Sequence, residues 1–211
     1  MCSKCRRLTV ANMKKKLKEL GLEIIGGQIV QRVIADETRG EAVLDPNRKT
    51  IVAKTVSEGV IDDAGVVVNN YRTTFEDKKL THKGDIIVKL SAPYNAAIID
   101  EEHEGMLVSS FCSIIRNVVE IDKGYLVAFL NSEIAQEQLK NSVAGTLMSV
   151  LSSGKLYDLE IPVPSKQKQE EIGILFYKII KNRSLIKQLI ELENEKLSCM
   201  IALAGAEENA N

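Results

Sequence analysis

The sequence predicts an α/β (α+β) protein in which one mainly β domain with short helices is followed by a long C-terminal α-helix. Between Leu22 and Asp122, short runs rich in Val and Ile alternate with Gly, Asn and Asp turn residues. From Lys123 onward, apolar residues recur at helical spacing. Beyond Ser165 they follow the rhythm of a helix seam, which indicates a helix that packs along its length.

The composition is that of a globular protein with one core. The chain has 211 residues, of which 45% are hydrophobic and 27% charged. No apolar stretch approaches the ~18 residues of a membrane span, and the N-terminus lacks the apolar core of a signal peptide. We therefore expect a cytoplasmic protein that does not associate with membranes. We divide it into a tail (1–12), a mainly β domain (13–164), a long helix (165–202) and a second tail (203–211).

The net charge of -1 argues against an independent, non-specific nucleic-acid binder. Such proteins gain affinity by neutralising phosphates and are usually strongly basic. Seven Lys or Arg precede the first acid, Glu19. A solvated tail and helix face explain this basic start, with a phosphate contact as the alternative. A chain with this charge that reads DNA needs a partner.

Four cysteines offer little for a metal site. Only Cys2 and Cys5 have metal-ligand spacing, and the sequence provides neither a second pair nor a nearby His to complete a zinc site. We expect free thiols and no bound metal, with zinc at Cys2 and Cys5 as the alternative. Met13 is a plausible alternative start, which would leave residues 1–12 outside the fold.

The first elements combine a short helix with extended segments. Residues 13–21 have the pattern of a helix that turns Leu17 and Leu20 inward and stops at Gly21. The stretch LEIIGGQIVQRVI is β-branched and interrupted by two glycines. It predicts two extended pieces around a tight turn.

The clearest hairpin lies between residues 86 and 99. Strands are predicted at 86–90 and 96–99, joined by a polar loop that contains a proline. The stretch MLVSSFCSIIRNV (106–118) predicts a further strand run that ends near Arg116.

In the second half of the sequence, helical patterns precede and follow a segment that contains two prolines. Helical spacing recurs in residues 123–143, before a break at Gly145 and Thr146. Pro162 and Pro164 limit the next segment to an edge strand or extended chain, because neither donates to a sheet. Ser165 can cap a helix of roughly 35 residues. The apolar residues predicted to form its partner-binding seam are Ile172, Leu175, Ile179, Ile186, Leu189 and Leu197.

Catalytic signatures are missing from the sequence. It has no GxxxxGK[ST] phosphate loop and no complete dinucleotide fingerprint. SAPYN (91–95) is similar to the Asn-Pro-Pro-Tyr motif of adenine methyltransferases, but Ser91 and Ala92 replace its first two residues, so we interpret it as a loop. The acidic run at 100–104 is interpreted as a surface loop. We expect no catalytic residue and no cofactor. The weakest alternative is a nuclease that uses this acidic loop.

The order of motifs resembles one half of a type I restriction–modification specificity subunit. The resemblance extends from Met13 to about Ala202. Its motifs are, in order, KLKELGLEIIGG, LTHKGDIIVKL, SSFCSIIRN, GYLVAFLNSE and AGTLMSVLSSGKLYDLEIPVPSKQKQEEI, and its sharpest parts lie in the second and the last. Within them stand Leu80 and Lys83 before Gly-Asp-Ile-Ile, and Ile161-Pro162-x-Pro164 before Gln169 and Ile172.

The resemblance implies a non-catalytic subunit. It implies a target recognition domain at 13–164, which reads half of a split double-stranded DNA site, and a coiled-coil-like spacer helix at 165–202. Usual members carry two of each, so this chain would complete its site as a homodimer. The family also implies partners: an adenine DNA methyltransferase subunit and, through it, a restriction (translocase/endonuclease) subunit.

On this hypothesis, the DNA contacts are polar or basic side chains in loops between strands. Arg and Lys can bind guanine acceptors, Asn and Gln can pair with adenine, and Tyr can reach a phosphate. The predicted residues are Gln28, Gln31, Arg32, Lys54, Arg72, Lys89, Tyr94, Asn95 and Thr146. The alternative from another class is a solitary protein-interaction module that acts through the C-terminal helix without reading DNA.

Overall fold

Nine strands and four α-helices form the part of the chain described by the structure, a computed structural model: residues 14–144 and 150–208, with side chains up to residue 202. In chain order the strands are β1 (Lys14–Lys16), β2 (Glu23–Gly26), β3 (Asp45–Ile51), β4 (Val67–Tyr71), β5 (Ile86–Lys89), β6 (Ala96–Ile98), β7 (Leu107–Val108), β8 (Cys112–Arg116) and β9 (Glu160–Pro162). The helices are α1 (Lys123–Leu130), α2 (Glu133–Val143), α3 (Ser153–Tyr157) and α4 (Lys166–Glu208). None of these helices has an apolar stretch long enough to cross a membrane.

The central sheet has four antiparallel strands in the order β2-β8-β5-β6. Helices cover one face, where Leu126 and Leu130 pack in one cluster with Ile86. A smaller sheet, β4-β3-β7, covers the other face and brings Ile51 against Ile87. Because both faces are covered, β5 and β8 are buried continuously over 86–88 and 112–115 rather than at alternate residues. The sheet is therefore a rigid support for the loops at its ends.

The Gly-Asp-Ile-Ile motif starts β5 and anchors it to β8. Gly84 has a φ of 83°, a left-handed conformation that favours glycine. Asp85 is only 3% exposed and accepts bonds from Arg116 Nε at 3.0 Å and Nη2 at 2.6 Å. Its Oδ2 also accepts from the His82 backbone N–H at 2.8 Å. The hydrogen bond to Asp85 raises the pKa of Arg116. The motif thus builds the fold at this end of the sheet.

The proline segment anchors the chain before α4. Pro162 ends β9, which pairs only with β1, and lies opposite Lys14. Its carbonyl oxygen accepts a hydrogen bond from Tyr125 Oη at 2.7 Å. The carbonyl of Pro164 accepts one from Gln169 Nε2 at 2.9 Å. The predicted edge strand is confirmed, and its carbonyls bind side chains of α1 and α4.

The first turns of α4 are part of the domain. Ser165 caps the helix as predicted, accepting from the Lys168 N–H at 3.4 Å. Gln169 is 2% exposed, and its Oε1 accepts from the Asp122 N–H at 2.9 Å. A methyl group on Gly173 would lie 2.8 Å from Asp122 Oδ1 and 3.1 Å from the carbonyl carbon of Gly124. Glycine at both positions is what lets α1 and α4 approach this closely.

A second set of contacts fixes the next two turns of α4. Gly59 has a φ of 83°, and a methyl group on it would lie 2.9 Å from Phe176 and 3.1 Å from Ile180. Ile180 is buried, and Arg183 forms an ion pair with Glu58. We call the packing of residues 165–183 against α1 and residues 58–59 the helix junction. The described side chains of 181–202, which include Arg183 of the junction, are all exposed.

Several predicted elements are confirmed and several are wrong. The 86–99 hairpin is confirmed, with Ile87 opposite Ala97. The helix predicted at 13–21 is wrong, because 14–16 form β1 and only Leu17–Leu20 form a 3₁₀ turn that ends at Gly21. The second extended piece after Gly27 is a 3₁₀ turn at Val30–Arg32. The 106–118 run folds as β7, a turn and β8. The 123–143 helix is divided near Asn131, whose side chain bonds the backbone of Ala96.

Candidate nucleic-acid interface

Four strand termini meet at one end of the central sheet. The register pairs Gly26 with Ser113, Lys89 with Cys112, and Val88 with Ala96. The ends of β2 and β5 therefore lie beside the starts of β8 and β6. Residues 150–152 join them, since the Leu151 N–H donates to the Leu90 carbonyl at 2.8 Å. We call the loops 27–29, 52–57, 89–95, 109–111 and 150–152 the strand-end surface.

Three of the predicted DNA contacts lie together on this surface. Gln28 follows β2, and its N–H donates to the Val108 carbonyl at 2.7 Å. Lys89 ends β5, and Asn95 precedes β6. All three side chains are half-buried, and none makes a hydrogen bond or ion pair with another described residue. Their donors and acceptors are therefore available to a ligand.

Lys54 borders the same surface. Its segment begins after Ile51, whose carbonyl accepts from the Ser109 N–H at 2.9 Å. It ends at Gly59, whose N–H donates to the Ala96 carbonyl at 2.9 Å. Both contacts are with residues at this end of the sheet, and Lys54 between them is exposed.

Charge is divided between the two ends of the sheet. The five loops of the strand-end surface, all within the described residues, contain Lys54 and Lys89 and no Asp or Glu. The sequence of 145–149, GTLMS, has no acid either. The opposite end carries Glu23, Asp85, Asp100, Glu101, Glu102 and Glu104, together with Lys83 and Arg116, which pair with Glu101 and Asp85. Glu58 directly follows the 52–57 loop and forms an ion pair with Arg183. A net charge near zero therefore conceals an uneven distribution, with two lysines in the loops of the strand-end surface, which favours the approach of phosphates.

Three other predicted residues form a separate group. Gln31 and Arg32 belong to the 3₁₀ turn after Gln28. Arg72 Nη2 donates to the Arg32 carbonyl at 2.6 Å, and Nη1 bonds Glu41 at 2.9 Å. Arg72 follows the end of β4, beside the start of β3 and away from Lys54. A phosphate that binds Arg72 has to compete with Glu41.

The prediction that Tyr94 contacts DNA is corrected. Its side chain is 2% exposed and belongs to the core cluster under the helices. Gln136 of α2 bonds both backbone groups of Tyr94, at 3.0 and 3.1 Å. The ring supports the 89–95 loop from inside and does not reach its surface. Thr146 lies outside the described residues.

The acidic loop closes on a histidine. His103 is 5% exposed, with Nδ1 2.5 Å from Asp100 and Nε2 3.2 Å from Asp63. Burial acts to raise the pKa of Asp100, but its hydrogen bonds and charge interaction with His103 outweigh burial and lower it. Within the described ranges, no three His, Cys, Asp or Glu side chains form a group that could hold a metal. Asp100 pairs with His103 and Glu101 with Lys83, and together with the lack of such a group this gives no support to the nuclease alternative.

The described cysteines are not placed for chemistry. Cys112 and Cys199 are both free thiols. Burial raises the pKa of Cys112 to about 12, so it is protonated and unreactive at neutral pH. Cys2 and Cys5 lie outside the described residues.

The exposed part of α4 carries an uncovered apolar face. Leu175, Ile179, Ile186, Leu189 and Leu197, all from the predicted seam, are between 41% and 58% exposed. Ile172 differs, because it is half-buried against the domain core and contributes to the helix junction instead. Further exposed apolar residues widen the face on either side of Ile186 and Leu189: Leu185, Ile190 and Leu192.

Comparison with known proteins identifies the family. The family model described as the type I restriction modification DNA specificity domain matches residues 50–194, from the smaller sheet into the exposed part of α4. The chain belongs to this family. No curated protein sequence matches the chain.

Solved structures share the fold of this specificity domain. The HsdS subunit from Thermoanaerobacter tengcongensis is 16% identical, with a TM-score of 0.57 over 84% of this chain and 44% of that one. The type I restriction–modification S subunit from M. genitalium is 15% identical, with a TM-score of 0.55 over 87% and 42%. A chain from a study of the assembly and conformational transition of the type I R-M system is 12% identical, with a TM-score of 0.54 over 83% and 40%. This chain spans less than half the length of each.

Sequence reasoning missed one residue of the specificity domain's strand-end surface. Phe111 lies in the turn between β7 and β8 and is 49% exposed. The 106–118 stretch predicts a strand run across Phe111, because Leu107 and Val108 precede it and Ile114 and Ile115 follow it. The two serines that precede it were the available signal, since Ser109 and Ser110 are turn formers.

Proposed function

We propose that this specificity domain reads half of a split DNA site through its strand-end surface and recruits an adenine DNA methyltransferase and, through it, a restriction subunit. The observation that supports this most directly is a surface with three polar side chains, Gln28, Lys89 and Asn95, that make no hydrogen bond or ion pair with another described residue. Lysine can bind guanine O6 and N7, while Asn and Gln can pair with adenine N6 and N7. These side chains are supported by a rigid sheet, so little conformational entropy is lost when they bind bases.

The domain alone should bind DNA weakly. Each neutralised phosphate adds about 0.9 to the salt slope of binding to B-form DNA, and few free cations border the strand-end surface. Lys54 and Lys89 are two of them, while Arg72 is paired with Glu41. A methyltransferase that encloses the DNA would supply the remaining phosphate contacts. Affinity and sequence preference are then properties of the complex.

Replacing the base readers should change which sequence is methylated. In the complex with the methyltransferase, Lys89→Ala or Asn95→Ala should alter or relax one position of the site, because a good bidentate contact discriminates by ~1–3 kcal/mol. The measurement is methylation across a random-sequence library. Lys83→Ala is the matched control, since Lys83 is exposed at the opposite end of the sheet. An unchanged site in both variants would remove the 89–95 loop from the recognition surface.

We further propose that α4 forms a homodimer and also binds the methyltransferase. A split site needs two recognition domains, and two copies joined through α4 would provide them. The apolar face around Ile186 and Leu189 is wider than the two-position seam of a two-stranded coiled coil. It therefore offers area both to the helix of a second copy and to a methyltransferase.

Leu189→Lys should weaken self-association at least about tenfold, because burial of one Leu contributes ~1.5–3 kcal/mol. Analytical ultracentrifugation over a concentration series measures this. Ser198→Lys is the control, since Ser198 lies nine residues further on and about half a turn away. A monomer at high concentration that also fails to bind a methyltransferase would contradict the role of α4.

The second candidate is a protein-interaction module without DNA reading. The uncovered face of α4 is the observation that favours it. The two functions differ in how the complex with methyltransferase responds to salt. DNA reading requires a steep loss of affinity with salt and a loss of site preference in Lys89→Ala. A pure interaction module would leave the methyltransferase's DNA binding unchanged when the domain is added.

A further inference from the structure

Phe111 is an exposed aromatic residue on an otherwise ordered turn. Of the four Phe in the chain, Phe129 is buried and Phe75 and Phe176 are half-buried. Only Phe111 is exposed, and it lies on the strand-end surface. An exposed aromatic ring leaves apolar area in water, which a bound partner can cover.

The backbone around Phe111 is held on both sides. Its carbonyl accepts from the Leu90 N–H at 2.9 Å, next to Lys89. On the other side, the Ser110 N–H donates to the Gln28 carbonyl at 2.7 Å. The turn itself is closed by the Cys112 N–H, which donates to the Ser109 carbonyl at 2.9 Å. Phe111 therefore stands between two predicted base readers.

Gly27 allows the β2 loop to reach this turn. A methyl group at Gly27 would lie 2.1 Å from the Ser109 oxygen and 2.7 Å from the Val108 oxygen. No side chain fits there without moving the loop or the turn. Backbone packing thus determines where the turn that carries Phe111 lies relative to Gln28. Little backbone entropy is therefore lost when a partner covers the ring.

The charges around Phe111 favour a polyanion as the partner. The strand-end surface has Lys54 and Lys89 and no carboxylate in its loops. Side chains that distinguish base pairs by donors and acceptors act in the major groove. The apolar feature available there is the C5-methyl group of thymine, which Phe can contact. An apolar wedge between base steps is instead typical of minor-groove binders.

We propose that Phe111 is a specificity-determining residue that contacts the C5-methyl group of one thymine in the half-site. This inference rests on the proposed function and adds a readout that hydrogen bonds do not provide. It predicts that one thymine methyl group of the half-site contributes to affinity. Deoxyuridine isolates this contribution, because uracil presents the same donors and acceptors and lacks only the methyl group.

Deoxyuridine substitution tests the contact. The complex with the methyltransferase is titrated with the DNA site that it methylates. It is also titrated with a set of duplexes, in each of which one half-site thymine is replaced by deoxyuridine. At one position, the wild type should lose about fourfold in affinity, the value for burying one methyl group. Phe111→Ala should lose about tenfold on the thymine site and then show no further loss with deoxyuridine.

Two variants keep this test interpretable. Phe111→Leu retains an apolar side chain and should stay sensitive to deoxyuridine. Val119→Ala removes an exposed apolar side chain elsewhere, and should bind like the wild type. Thermal melts compare the folding of all variants.

The outcomes separate this inference from the proposed function. A wild-type complex that binds no DNA and methylates no site contradicts the proposed function, and the thymine contact with it. A wild type that binds its site but is insensitive to every deoxyuridine contradicts the thymine contact only. So does a Phe111→Ala variant that remains sensitive to deoxyuridine at the same position.

Discussion

A chain cut after Ser165 is expected to lose its cooperative thermal transition, whereas a chain that ends after Ser184 should keep it. The sequence predicts the opposite for the first cut, because the proline segment looks like a domain boundary. In the structure, however, the helix junction buries Gln169 and Ile180 and packs Ile172 and Phe176 on the domain.

The size of the effect follows from the area that the first cut exposes. Full burial of a large apolar side chain contributes ~1.5–3 kcal/mol. Ile180 is buried, whereas Ile172 and Phe176 are half-buried, so losing all three costs about 3–6 kcal/mol. A domain of this kind is stable by only ~5–15 kcal/mol in total. The Asp122 N–H and the Pro164 carbonyl would also lose Gln169, their side-chain partner.

Calorimetry on both truncated chains measures this difference. Gly173→Leu in the full chain is a second probe, since its side chain would collide with Asp122 and the backbone of Gly124. It should lower the Tm strongly, while Ser184→Leu, just beyond the junction, should not. Equal cooperative melting of both truncated chains would mean that α4 is a separate unit from Ser165 onward.

Asp85→Ala should destabilise the domain by about 3–5 kcal/mol, because it leaves the guanidinium of Arg116 buried without its partner. Both side chains are largely enclosed, and Asp85 receives two bonds from Arg116 and one from the His82 backbone. For a chain of this length, the loss corresponds to a fall in Tm of roughly 10 °C. Asp85→Asn keeps an acceptor but removes the charge. Its Tm should therefore lie between those of the wild type and Asp85→Ala.

Thermal unfolding of these variants is compared with Glu171→Gln. Glu171 pairs with Lys168 on an exposed helix face, where such pairs contribute little. Its Tm should match the wild type. If Asp85→Ala melts like this control, the Gly-Asp-Ile-Ile motif does not stabilise the fold and needs another explanation, such as a partner contact.

The helix junction gives the proline segment a function. Pro162 and Pro164 present their carbonyls to α1 and α4, and the glycine contact at Gly124 and Gly173 fixes how α4 leaves the domain. A recognition domain held rigidly on its helix keeps a constant position relative to whatever the helix binds. We expect this rigidity to set the distance between the two halves of the proposed split site.

Local signals in the sequence were enough for the elements that depend on neighbouring residues. The 86–99 hairpin, the proline edge segment, the Ser165 cap and the long α4 all follow from turn residues, missing N–H donors and apolar spacing. The order of motifs was likewise enough to indicate the family. The failures at 13–21 and after Gly27 also have a local cause: apolar spacing in short segments does not separate a helix from a strand or a 3₁₀ turn.

Only the tertiary structure decided which side chains form the candidate site. Gln28, Phe111 and the 89–95 loop with Lys89 and Asn95 are separated in sequence. They meet because antiparallel pairing brings four strand termini to one end of the sheet. Tyr94 is two residues from the exposed Ala92 yet belongs to the core, and the acids collect at the opposite end. Sequence patterns report the period of an element, whereas burial and charge separation depend on which elements pack together, and that is set by long-range contacts.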